Sequence, residues 1–202
     1  MIPVTYRAPI VIQDDDVIKV KQCITSHGKN RGATFDPVTK TFEINDNIVL
    51  KIDSKLYRLQ EYHFHIPSDD IINCKRYPAE IHYTFIEIEN DEKPCKKNRK
   101  RRDVCEPPSS LSNLVVIGRL LKNDPCRTGV DYARIQVEVP HTYFEYDGSL
   151  PSGTFGPARW IVGDRPLYVN VAELVPIARG IRQIQNRDGR IVLYGRNVCG
   201  GN

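Results

Sequence analysis

The stretch Tyr57-Arg58-Leu59-Gln60-Glu61-Tyr62-His63-Phe64-His65-Ile66-Pro67-Ser68-Asp69-Asp70 alternates polar and aromatic side chains from Glu61 to His65. A period of two is the mark of a β-strand, whose side chains point to opposite faces in turn. Glu61, His63 and His65 therefore share one face, and the two imidazoles stand about 7 Å apart along the strand. That spacing lets both converge on one ion. After a turn through Asn73-Cys74-Lys75-Arg76-Tyr77-Pro78, the segment Glu80-Ile81-His82-Tyr83-Thr84 returns as a second strand, which brings His82 opposite the pair. Three neutral imidazoles with a fourth position left open are the donor set of a catalytic rather than a structural zinc site. Glu61 and Glu80 share the face of these ligands and are candidates to accept the outer ring N–H groups that fix the tautomers. A His-x-His pair by itself is more often a surface or packing pair than a ligand pair, and the third histidine brings the metal reading level with that one. His27 and His141 lie in loop-like contexts and carry no assignment.

Outward from this stretch, short apolar or alternating runs recur between turn residues. Thr41-Phe42-Glu43-Ile44 and Ile48-Val49-Leu50-Lys51-Ile52 read as strands around Asn45-Asp46-Asn47. Residues 56–66 and 79–89 read as longer strands, and Leu114-Val115-Val116-Ile117-Gly118-Arg119-Leu120-Leu121 as a buried central one. Arg159-Trp160-Ile161-Val162 and Leu167-Tyr168-Val169-Asn170-Val171 read as two more. The best helix candidate covers 171–179, interrupted by Pro176. Many strands and few helices predict a mainly β fold on a large sheet. We expect one domain over 1–202, with a loop insertion near 90–110.

The composition fits that expectation. The 202 residues are 40% hydrophobic and 27% charged, enough for one core. No apolar run reaches the roughly 18 residues of a membrane span. The start, Met1-Ile2-Pro3-Val4-Thr5-Tyr6-Arg7, lacks the basic-then-apolar pattern of a signal peptide, which leads us to expect an intracellular or virion-associated protein. Six cysteines include no CxxC pair, which excludes a zinc ribbon or a thioredoxin-like motif. We expect mostly reduced thiols, with Cys95 and Cys105 placed to close one loop under oxidising conditions. The net charge of +4 is uneven, since Lys96-Lys97-Asn98-Arg99-Lys100-Arg101-Arg102 packs six cations into seven residues. Such a block repels itself and reads as a loop. It suits a solvated surface, a contact for a polyanion or an acidic protein partner, or a targeting or cleavage signal, and the residues alone leave all three open.

Several motifs, in order, resemble one family. Tyr57-Arg58-Leu59 … His63-Phe64-His65 … Pro67-Ser68, followed by Tyr77-Pro78-Ala79-Glu80-Ile81-His82, is similar to the zinc-ligand region of the alpha-class carbonic anhydrases. Ala8-Pro9-Ile10-Val11-Ile12 resembles their S-P-I-N-I segment, and Leu114-Val115-Val116-Ile117-Gly118 the strand lining their carbon dioxide pocket. Tyr146-Asp147-Gly148-Ser149-Leu150 with Trp160-Ile161-Val162 resembles Y-x-G-S-L … W-I-V, and Gly189-Arg190-Ile191-Val192 resembles the late G-R-x-V. The resemblance implies a large twisted, mostly antiparallel sheet with zinc (Zn2+) on His63, His65 and His82. It also implies an enzyme that reversibly hydrates carbon dioxide to bicarbonate and a proton. Water activated by the zinc would add to carbon dioxide resting against an apolar wall that includes Val116 and Leu150.

The departures from the family bear on activity. Where the family continues from G-S-L into T-T-P-P, this chain has Leu150-Pro151-Ser152-Gly153-Thr154, so Ser152 is the candidate for the catalytic threonine's place. Asp69 stands for the family's glutamate partner of that threonine, one methylene shorter. The segment that should carry a proton-shuttle histidine reads Pro37-Val38-Thr39-Lys40. The family's glutamine beside the first ligand is Glu61, a carboxylate that makes its imidazole more electron-rich. The family's late N-x-R is matched by Gly180-Ile181-Arg182, and its N-terminal tryptophan segment has no counterpart before Ala8. These changes predict a slow enzyme dependent on buffer. The alternative is a carbonic-anhydrase-like binding or structural protein that keeps zinc and contacts a polyanion or protein through its basic loop.

Overall fold

The apolar run that begins at Leu114 lies at the centre of the molecule and carries the architecture. In the computed structural model, residues 9–13, 17–88, 114–149, 157–180 and 191–199 are described. The basic run 96–102, Cys95 and Cys105, the loop with Leu150 and Ser152, and Ile181-Arg182 and Gly189-Arg190 all lie outside the described residues. In chain order the strands are β1 (Val11–Ile12), β2 (Ile18–Gln22), β3 (Ile24–His27), β4 (Thr34–Asp36), β5 (Thr41–Glu43), β6 (Val49–Ile52), β7 (Lys55–His65), β8 (Ile71–Ile72), β9 (Lys75–Arg76), β10 (Ala79–Ile88), β11 (Leu114–Asn123), β12 (Thr142–Ser149), β13 (Pro157–Val169), β14 (Ala178–Arg179) and β15 (Leu193–Asn197). One helical turn, α1 (Val171–Leu174), follows β13.

Among the described residues, a 12-stranded sheet runs β2-β15-β12-β13-β11-β10-β7-β5-β4, with β14 and β6 also paired to β7 and β3 to β6. Its pairs are antiparallel except β11 with β13, β15 with β2 and β14 with β7. The sheet is therefore mixed, with antiparallel pairing predominant, and β1, β8 and β9 form a small second sheet. Both faces of the central strands are covered. Tyr62, Phe64, Ile81, Tyr83, Ile117 and Ile161 belong to one buried cluster, and Val116, Leu120, Phe144, Tyr146, Trp160 and Val162 to another. A strand buried on both faces has no polar side to show in its sequence. That is why 114–121 reads as a continuous apolar run.

Three local readings are corrected. The two strands expected at 159–162 and 167–171 form the single strand β13, Pro157–Val169. Its partner β11 shifts register between Arg119 and Leu121, which pair with Gly163 and Leu167, so the polar Asp164-Arg165-Pro166 is absorbed as an irregularity. The helix expected over 171–179 ends after one turn at Leu174, capped by Asn170 Oδ1, which accepts from the N–H of Ala172 at 3.1 Å. Pro176 cannot continue a helix, and Ala178–Arg179 instead joins the sheet beside Phe64 and His65. Third, Cys23 and Cys199 form a disulfide across a sequence separation of 176 residues, with their Cα atoms 4.9 Å apart, so this pair departs from the expectation of mostly reduced thiols. Cys74 and Cys126 are free and exposed.

Candidate metal centre

The long strand β7 carries a bulge at Gln60. Thr84 of β10 pairs with Glu61 but Phe85 pairs with Leu59, and the Gln60 carbonyl accepts instead from the N–H of Ile44 at 3.1 Å. Plain alternation would put Leu59 and Glu61 on the same face. The extra residue sends Leu59 into one apolar cluster and leaves Glu61 with the histidines on the other face. From there the register sets the site in rows. His82 lies directly opposite His63, Glu80 opposite His65 and Thr84 opposite Glu61. On the far side of β10, Gly118 pairs with His82, Val116 with Thr84 and Leu120 with Glu80.

His63, His65 and His82 are 3%, 0% and 1% exposed, and one ring nitrogen of each lies within 4.8 Å of the others. Every imidazole has an oxygen within 3.3 Å at its back. His63 Nδ1 is 3.3 Å from Glu61 Oε2. His65 Nδ1 is 3.3 Å from the Gly180 carbonyl and 3.3 Å from Asp69 Oδ2. His82 Nε2 is 3.2 Å from Glu80 Oε1. With those nitrogens engaged outward, Nε2 of His63, Nε2 of His65 and Nδ1 of His82 are the atoms that would meet an ion. A ligand histidine normally donates its second N–H to such an acceptor, which fixes tautomer and orientation. The donor set is three neutral imidazoles, and it fits a divalent transition ion such as zinc.

The acidic layer behind the histidines is itself anchored. Asp69, Asp70 and Glu80 are fully buried. Glu80 Oε2 accepts from the backbone N–H groups of Asp69 and Asp70 at 2.9 and 3.0 Å. Asp70 Oδ1 accepts from the Tyr146 hydroxyl at 2.9 Å and from the N–H of Ile10 at 3.3 Å. Burial, with the neighbouring Glu80 charge, pushes the Asp70 carboxyl well above the ordinary carboxylate range. Burial also raises Glu80. Ser68 locks the turn that presents both aspartates. Its hydroxyl donates to the Asp70 carbonyl at 2.9 Å and accepts from the N–H of Tyr77 at 2.9 Å.

The residues expected from the sequence fall as follows. His63, His65 and His82 converge, and Glu61 and Glu80 back His63 and His82. Asp69 lies against His65, the contact that its shorter side chain makes here. Val116 is fully buried on the ligand-bearing face with Trp160 and Leu120. Trp160 meets the His82 ring edge to face at 5.1 Å and stacks on Tyr146 at 5.9 Å. Ser152 and Leu150 lie outside the described residues. The turn at 37–40 is organised by Asp36, whose Oδ1 accepts from the N–H of Val38 at 2.8 Å and whose Oδ2 accepts from the Thr39 hydroxyl at 2.7 Å.

Three residues at the site, Thr84, Asp70 and Arg179, carry no role from the sequence. Thr84 donates to Glu61 Oε1 at 2.8 Å, and its place two residues after His82 on the same face was a usable signal. Asp70 follows Asp69 directly. Arg179 arrives from a distant segment and had no local signal, whereas Gly180 was named as the first position of the N-x-R match. Gly180 meets His65 through its main-chain carbonyl, a contact that needs no side chain at position 180.

No family model matches the chain. A curated carbonic anhydrase of Pectobacterium carotovorum is 22% identical over 200 residues, covering 95% of this chain and 78% of that protein. Among solved structures, the alpha-carbonic anhydrase of Thermovibrio ammonificans, in complex with the inhibitor sulfanilamide, matches with a TM-score of 0.66 at 20% identity, covering 93% of this chain and 86% of that one. Dioscorin complexed with ascorbate matches with a TM-score of 0.65 at 17% identity, covering 98% of this chain and 88% of that one.

Proposed function

We propose that this chain, a divergent relative of the alpha-class carbonic anhydrases, holds zinc on His63, His65 and His82 and reversibly hydrates carbon dioxide to bicarbonate and a proton. The observation that carries the reading is the set of three buried imidazoles, each with an oxygen within 3.3 Å of its outer nitrogen and one nitrogen of each within 4.8 Å of the others. Bound zinc supplies a Lewis acid that activates water near neutral pH. The chain's own part is orientation. Glu61, the Gly180 carbonyl and Glu80 hold the outward N–H groups, so that neutral lone pairs face the ion. Val116, Leu120 and Trp160 make the same face apolar, which suits an uncharged substrate. Ser152 and Leu150 are carried over as the hydroxyl that orients the attacking water and as part of the substrate wall.

The proton needs a separate route out. No imidazole occupies Pro37-Val38-Thr39-Lys40, so export falls to buffer molecules, and turnover is slow where buffer is dilute. Stopped-flow hydration on zinc-loaded protein tests the proposal. The expected result is a sulfonamide-sensitive rate that rises with the concentration of an imidazole buffer. Zinc-loaded protein with no hydration above the buffer background would sink the activity. Protein that takes up no stoichiometric zinc, or keeps it after His82→Ala, would sink the metal site.

A further inference from the structure

Each imidazole of the cluster has a carboxylate against it: Glu61 at His63, Asp69 at His65 and Glu80 at His82. Glu80 and Asp69 are buried and sit where backbone N–H groups and packing fix them. Glu61 is different, since its side chain is 24% exposed. A carboxylate open to water holds a defined orientation only when something else grips it. Two groups do so. The Thr84 hydroxyl donates to Oε1 at 2.8 Å, and the Arg179 guanidinium stands 3.8 Å from Oε2.

Arg179 is itself fixed rather than free to wander. Its Nε donates to the Thr39 carbonyl at 2.9 Å, and one terminal nitrogen donates to the Thr41 hydroxyl. Its backbone is strand β14, paired with His65, and the Arg179 carbonyl accepts from the N–H of Ile66 at 3.0 Å. The next residue, Gly180, supplies the acceptor for His65 Nδ1. Strand β14 and the residue that follows it thus reach two ligands, His65 through the Gly180 carbonyl and His63 through the Arg179–Glu61 pair.

We infer that Arg179 is a positioning residue of the metal centre, acting through Glu61 to hold the His63 ring. The inference rests on the proposed zinc site and deepens it. Two effects of removing the cation oppose one another. Loss of a positive charge near a dication favours metal binding, whereas loss of the grip on Glu61 frees His63 and disfavours it. The guanidinium is 26% exposed, so water screens its direct repulsion of the ion. Glu61 is 24% exposed and is screened too, but at 3.8 Å it is nearer the guanidinium than an ion beyond the His63 ring would be, so the hold on Glu61 prevails.

The test is a cycle of Arg179→Gln, Glu61→Gln and the double variant, with Thr84→Val alongside. The readouts are the zinc dissociation constant from chelator competition, the visible spectrum of the cobalt(II)-substituted protein and the melting temperature of the metal-free protein. Arg179→Gln should weaken zinc about 2- to 5-fold, the range of a partly exposed ion pair and less than the effect expected of Glu61→Gln itself, and change the cobalt spectrum. Added to Glu61→Gln it should have no further effect. Thr84→Val releases Glu61 without touching β14 and should weaken zinc in the same direction. Unchanged zinc affinity there would show that the hold on Glu61 does not reach the metal and would overturn the inference even if Arg179→Gln fails to fold. An effect that persists undiminished in the Glu61→Gln background, or appears only in the metal-free melting temperature, would show that Arg179 merely ties β14 to the 39–41 segment and would overturn the inference. Wild-type protein that binds zinc normally beside an unaffected Arg179→Gln overturns this inference alone. Wild-type protein that binds no zinc overturns it together with the proposed function.

Discussion

A methyl group at position 118 would sit 2.8 Å from Glu80 Oε1, the oxygen that faces His82 Nε2, and 3.4 Å from Val162. Gly118 is therefore the space in which the partner of His82 stands. The Glu80 carboxylate cannot swing aside cheaply, because its other oxygen is held by two backbone N–H groups. Gly118→Val should weaken zinc about 10-fold by displacing that acceptor, with about 1–3 kcal/mol lost to overpacking. Chelator competition and urea unfolding measure the two effects separately, and an unchanged zinc affinity would contradict the account. At this scale the sequence was informative where chemistry and period coincide. The three histidines, Glu61 and Glu80 are legible because a strand turns alternate positions to one face. Gly118 was legible only as one member of an apolar run, and Arg179 not at all, since nothing local links it to His63.

Among the elements, β15 shows how a glycine sets the path of a side chain. Tyr143 of β12 pairs with Gly195, and its hydroxyl donates to Gln22 Oε1 of β2 at 3.1 Å, so the ring reaches across β15 to the edge strand. A Cβ at Gly195 would overlap that ring. Gly195→Val should cost about 1–3 kcal/mol and loosen β2, seen as a lower urea midpoint with faster amide exchange over Ile18–Gln22. Exchange in β2 no faster than in the unaltered protein would contradict the path described. The long strands β7, β10 and β11 were readable within two residues of their ends. The errors lie where tertiary pairing overrides local signals. The Gly163-Asp164-Arg165-Pro166 sequence looks like a turn, yet Asp164 accepts from the Thr142 and Tyr194 hydroxyls at 2.6 and 2.7 Å inside a continuing strand. The apolar run after Asn170 has helical spacing, yet Pro176 stops it and the sheet takes its end.

For the whole molecule, the Cys23–Cys199 bridge joins positions 176 residues apart. Closing so long a loop constrains the unfolded chain strongly, by about 2–4 kcal/mol in typical cases. Cys23→Ser with Cys199→Ser should sit at the low end. Asn197 still anchors this end through Ile24, accepting its N–H at 3.0 Å and donating to its carbonyl at 2.8 Å. A melting temperature unmoved by reductant would contradict the bridge. The buried phenols add a pH limit. Burial raises Tyr62 and Tyr83 above the ordinary 10.0, and their hydroxyls donate to the carbonyls of Tyr132 and Gln136 at 2.7 and 3.1 Å. A group whose folded value is raised contributes stability that is complete below the unfolded value and is lost as pH rises past it. Stability should fall as pH climbs above 10.0, and the fall should be shallower in Tyr83→Phe. The same slope in both proteins would contradict it. The pairing of the cysteines was unreadable from their spacing, because strand order, not sequence distance, brings residues 23 and 199 together.

The contact between His65 and the Gly180 carbonyl spans 115 positions of the chain, and this has a consequence in time. Neighbouring strands β7 and β10 can bring the histidines together early, as a local hairpin-like event, but the segment that steadies His65 must first travel back across the sheet. Contacts that join distant parts of a chain form late, and affinity for a metal depends on the outer acceptors as well as the ligands. At the proposed zinc site, tight capture of the ion should therefore mark the end of assembly rather than its start. In refolding experiments, strand formation followed by circular dichroism should run ahead of tight metal uptake, and added zinc should slow unfolding more than it speeds folding.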